Sequence, residues 1–135
     1  MKALFLSFLL SVLVLPALAQ GDASRGIEAT INRQIEAFQA DDFATAFTFA
    51  SPSIQGMFGT SERFGAMVRQ GYPMVWRPSD VQYLSLENRG GLLFQKVLVR
   101  DAAGASHLLE YQMIRVEEAR RINGVVLLRP PGVGA

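Results

Sequence analysis

Apolar and polar residues alternate along four short stretches between Val81 and Leu128: VQYLSLE, LLFQKVLV, HLLEYQMIRV and INGVVLL. Period-two alternation bounded by turn residues marks half-buried strands, and the four read as one antiparallel meander. Upstream the period changes. Ile27, Ile31, Ile35 and Phe38 recur at helical spacing and form one face of an amphipathic helix, with Asp22 or Ser24 as its N-cap. Asp41-Asp42 interrupts that pattern, and a short helix follows with Phe43, Ala46, Phe47 and Ala50, capped by an aspartate. Ser51-Pro52 reads as N-cap and first position of another short helix, ending near Gly56–Gly59. Thr60 caps a helix from Ser61 to Gln70, and Gly71 is expected to end it as a left-handed residue. Pro73 and Pro78 bias YPMVWRP towards extended backbone. Helices first and strands after predict an α+β fold, with helices packed on one face of the sheet.

The central hairpin can be put in register from its turn. Ala102-Ala103-Gly104 makes a three-residue loop with Gly104 left-handed. Lys96 then falls opposite Glu110, a favourable cross-strand pair that the turn did not require. One face collects Leu93, Gln95, Val97 and Val99 with Met113, Tyr111, Leu109 and His107. The last hairpin, with Arg115 facing Arg120, pairs Tyr111 with Gly124, Leu109 with Val126 and His107 with Leu128. This places Ile122, Val126 and Leu128 on the covered face. Val125 and Leu127 join Leu92, Phe94, Leu98 and Leu108 on the outer one, which is more apolar than a fully solvated face should be. The Pro130-Pro131 tail is expected to fray.

Composition changes the picture mainly at the N-terminus. Met1-Lys2 precedes an uncharged run from Ala3 to Leu15, then Pro16 and an A-x-A site at Ala17–Ala19. This predicts a signal peptide over residues 1–19, cleaved after Ala19, and a periplasmic or secreted protein. The run is too short to span a bilayer, so no stable membrane insertion is expected after cleavage. Residues 20–135 form a single domain of a size that can hold itself by its core. The chain has no cysteine, so disulfides cannot staple it. Without Lys2 its acidic and basic residues balance, and no basic stripe marks a nucleic-acid partner.

The strings QIEAFQADDFATAFTFASPSIQGMFG, ERFGAMVRQGYPMVW, QKVLVRDAAG, YQMI and RINGV resemble the uncharacterised bacterial exported domain-of-unknown-function family 4864. A helical half followed by a curved meander, with RINGV on its last strand, is similar to the NTF2-like (cystatin-like, cone-shaped) superfamily. The resemblance implies helices packed on a curved four-stranded antiparallel meander, with a pocket between them. It implies no particular activity. The family pattern carries Gly-Trp just before RINGV where this chain has Ala119-Arg120, which predicts a looser or more solvated sheet edge.

Candidate chemistry is sparse. His107 is the sole histidine and the first catalytic candidate, without an orienting partner close in sequence. Asp42, beside Asp41, is the second, although a helix–helix turn with an N-cap accounts for it without further chemistry and is the favoured reading. Tyr111, Gln95, Tyr72, Trp76 and Met74 form the expected ligand pocket, with Gln95 and Tyr111 as the polar spot on an apolar sheet face. The aromatic residues of the helical half, from Phe43 to Phe64, are read as core. No catalytic or nucleotide-binding signature occurs, and no metal site or cofactor is expected. The expected function is binding of a small apolar or amphipathic molecule without catalysis. The alternatives are an isomerase or lyase working in the pocket, and a dimeric interaction module using the outer sheet face.

Overall fold

The computed structural model describes the backbone of residues 16–128 and the side chains of residues 21–128. Five helices precede the sheet: α1 (Pro16–Gln39), α2 (Phe43–Thr48), α3 (Pro52–Phe58), α4 (Ser61–Gly71) and α5 (Pro73–Trp76). The strands β1 (Pro78–Arg89), β2 (Leu92–Asp101), β3 (Ser106–Val116) and β4 (Ala119–Leu128) form an open antiparallel sheet in the order β1-β2-β3-β4. The fold is α+β, with the helices on one face. The charged start and apolar run of the expected signal peptide, and the Pro130-Pro131 tail, lie outside the described residues.

Helix α1 supplies its whole apolar stripe to the core. Ile27, Ile31, Ile35 and Phe38 are all buried, against Val97, Val99, Leu109 and Met113 of the sheet. The helix starts earlier than its side chains suggested: Asp22 and Ser24 lie inside it, and Asp22 pairs with Arg25 rather than capping. The next three caps follow the sequence. Asp42 accepts from Thr45 N, Ser51 from Ile54 N and Thr60 from Arg63 N. Gly71 remains helical, and Tyr72 closes α4 instead. The YPMVWRP stretch is not extended: Pro73 sits in the first turn of α5, where its missing N–H costs nothing.

The β2–β3 hairpin has the expected register. Lys96 pairs with Glu110 and Gln95 with Tyr111, while Gly104 takes φ +89° in the turn. The β3–β4 hairpin departs from it after four pairs. Met113 faces Ile122, but Gln112 faces Gly124, so Asn123 is an extra residue on β4. A one-residue bulge reverses the facing of everything beyond it. Val125 therefore packs on the core, whereas Val126, expected inside, is 57% exposed. Tyr111 faces Val125 rather than Gly124, and Leu128 faces Leu108 on the outer side.

The bulge is held from outside the sheet. Ser51 Oγ donates to Asn123 Oδ1 at 2.7 Å, and Asn123 Nδ2 donates to Gln112 Oε1 at 3.3 Å. Ile122 N donates to Phe49 O and Ser51 N to Ile122 O, so the α2–α3 loop covers the β4 edge as a short parallel bridge. Such cover removes the liability of an open edge strand. At the other end of β4, Thr30 Oγ1 of α1 donates to Arg120 O, and the Arg120 stem lies over Gly26. The edge expected to be looser is thus packed by an arginine stem against α1.

Candidate functional site

A pocket of about 220 Å³ lies between the helices and the β3–β4 half of the sheet. Its floor is Tyr111 of β3 with Ile122, Gly124 and Val125 of β4. Gln34 and Phe38 of α1 form one wall, and Phe64, Met67 and Val68 of α4 another. Ile54, Met57 and Phe58 of α3 close it towards solvent, where Met57 is 72% exposed. The bulge matters here, because it turns Val125 into the pocket. Helix α3 reaches this place because its N-cap, Ser51, is tied to the bulge itself.

Among the described residues, the lining carries no charged side chain. Its polar side chains are Gln34, Tyr72 and Tyr111. Tyr72 donates its hydroxyl to Val125 O at 3.1 Å, and Gln34 Nε2 donates to Ala46 O at 3.2 Å. Tyr111 is 1% exposed, and burial pushes its phenol well above the ordinary tyrosine value, reinforced by Tyr83 and Tyr72. A phenol held protonated can donate a hydrogen bond but is a poor base at neutral pH.

Two of the five residues expected to line a pocket do so, Tyr111 and Tyr72. Gln95 lies elsewhere. A second bulge, between Tyr83 and Leu86 of β1, turns backbone carbonyls towards it. Gln95 Nε2 donates to Leu84 O, Ser85 O and Lys96 O at 2.9–3.3 Å, while its Oε1 is buried without a partner. The amide braces the sheet and makes no hydrogen bond to Tyr111. Met74 is buried in the core. Trp76 is on the surface side of α5: it donates to Asp41 Oδ1 at 2.9 Å, and the Arg77 guanidinium stacks 4.3 Å above its ring.

Neither catalytic candidate reaches the pocket. His107 lies at the β2–β3 turn, with Nε2 2.8 Å from Asp101 Oδ2. That carboxylate also accepts from Ala103 N and Ala105 N, so the pair braces a turn. This corrects the expectation that no partner lies close in sequence: Asp101 is six residues away, brought across by the same three-residue turn that sets the register. Hydrogen bonds from His107 and the turn amides hold the Asp101 carboxyl below its ordinary value. Asp42 is exposed at the α2 N-terminus, where Thr45 lowers its pKa. Gln34 was missed, although a signal exists. It falls four residues before Phe38 and three after Ile31, inside the apolar stripe of α1.

The family model described as "Domain of unknown function (DUF4864)" matches residues 20–135. The chain belongs to this family. Among solved structures, this DUF4864 domain is similar to the solution structure of RPA3114, a SEC-C motif containing protein from Rhodopseudomonas palustris. The two are 15% identical with a TM-score of 0.57, over 84% of this chain and 88% of that one. That likeness is one of fold. A search of the curated proteins finds no match.

Proposed function

We propose that this DUF4864 domain is an exported, NTF2-like carrier that binds a small apolar or amphipathic molecule without catalysis. One observation carries the reading: the pocket between helices and sheet is walled by apolar side chains and, among the described residues, has no carboxylate, histidine or lysine in its lining. An apolar cavity with a few polar groups is the common form of a small-molecule site, and general acid–base work requires a titratable group within reach. Export is supported by the charged start, apolar run and A-x-A site of residues 1–19. The NTF2-like assignment is supported by helices preceding a four-stranded meander that encloses a pocket.

Native mass spectrometry of the protein, with the neutral fluorophore N-phenyl-1-naphthylamine as probe, tests the binding. The expected result is one probe per chain with enhanced emission. Ile54→Trp, which fills the pocket from α3, should abolish it while leaving the urea midpoint unchanged. Absence of probe uptake by the folded protein would overturn the reading. A second reading, a homodimer through the outer sheet face, is favoured by Val126 at 57% and Leu92 at 41% exposure on a face no described element covers. The same spectra report it as a doubled mass.

A further inference from the structure

Gln34 is 4% exposed, within the apolar stripe of α1, yet its side chain lines the pocket. A buried amide among Ile31, Ile35 and Phe38 is unfavourable unless its groups are satisfied. Its bond to Ala46 O, a carbonyl that also accepts from Phe49 N at 3.2 Å, satisfies the amide nitrogen but not the amide oxygen. The carbonyl does orient the amide: Nε2 faces Ala46, so what Gln34 offers the pocket is Oε1, an acceptor only. Of the other polar lining residues, Tyr72 has its hydroxyl proton committed to Val125 O, and the Tyr111 phenol, which can donate as well as accept, can serve a ligand oxygen but leaves Gln34 Oε1 to be met by a ligand donor.

We infer that the pocket selects an uncharged molecule with an apolar body and one hydrogen-bond donor, such as an aliphatic alcohol, the donor being received by Gln34 Oε1. This rests on the proposed binding role and names the chemical class. An ionised headgroup is rejected because no lining side chain carries the opposite charge, and a buried unpaired charge is strongly unfavourable. An isostere without the donor is disfavoured because it forgoes the hydrogen bond to Gln34 Oε1, for which the apolar lining offers no substitute.

Isothermal titration calorimetry with four eight-carbon probes tests this: 1-octanol, its isomer heptyl methyl ether, octanoate and octylammonium, all at pH 7.5. The expected order has 1-octanol at least tenfold tighter than the ether, and both ions weaker than 1-octanol by more than tenfold. Gln34→Met, similar in length and apolar, should retain the ether and erase the advantage of the alcohol. The wild-type series alone decides the matter if that variant fails to fold. Equal affinities for alcohol and ether, or an ion binding as tightly as the alcohol, would overturn this inference and leave the pocket reading standing. Binding of none of the four by the folded protein would overturn both.

Discussion

Replacing Ser51 by alanine tests how the α2–α3 loop is fastened to the sheet. Ser51 is fully buried. Its hydroxyl accepts from Ile54 N at 3.2 Å as the N-cap of α3 and donates to Asn123 Oδ1 at 2.7 Å. Loss of a serine cap costs about 1 kcal/mol. Loss of the second bond leaves the asparagine oxygen unmatched, about 1–2 kcal/mol more, towards the lower end because Asn123 is only half-buried and water can reach it. The sum is about 2–3 kcal/mol, or a fall in Tm of about 8–12 °C for a domain of this size. Equilibrium urea unfolding followed by the emission of Trp76, the chain's sole tryptophan, measures it. The slope m should not change, because the same surface is exposed on unfolding. Exposed Ser53→Ala on the same helix serves as the control and should be near neutral. A double-mutant cycle with Asn123→Ala should return a coupling of about 1 kcal/mol. A loss in Ser51→Ala below about 0.5 kcal/mol, or strict additivity with Asn123→Ala, would show that the backbone bridge and packing hold the loop without the Ser51 hydroxyl.

Two further predictions follow from other sites. Hydrogen bonds from Trp76 and then Arg77 lower the Asp41 pKa, so its contribution to stability is present above the ordinary aspartate value of 3.8 and is lost as pH falls through the lower folded value. Trp76 emission should therefore show an acid transition with a midpoint below 3.8 that Asp41→Asn abolishes; a midpoint at or above 3.8 would contradict the pairing. Gln95→Met withdraws the donor shared by three backbone carbonyls in part-buried bonds and should destabilise by about 1–2 kcal/mol in urea, softened by removal of the unpartnered Oε1; a raised midpoint would mean the orphan oxygen had outweighed the three bonds.

How much of this was legible before the structure depends on whether its cause is local. The order of helices and strands, the caps at Asp42, Ser51 and Thr60, and the β2–β3 register all come from neighbours in sequence. Capping needs a side-chain oxygen and a backbone amide three residues on, and a hairpin register follows from its turn, so a single chain of letters determines them. Tyr72 and Tyr111 line a cavity, while Gln95 lies away from it, beside carbonyls turned towards it where β1 bulges before Leu86. Gln34 was readable in principle, as a polar letter within an apolar stripe. The facing of Val125 and Val126 was not. Alternation predicts side-chain direction only while the ladder is regular, and the irregularity at Asn123 is held by Ser51, 72 positions away. Tertiary structure alone decided that bulge, because the group that stabilises it reaches β4 only after α1, α2 and α3 have packed. With it came the direction of Val125, and hence the wall of the pocket.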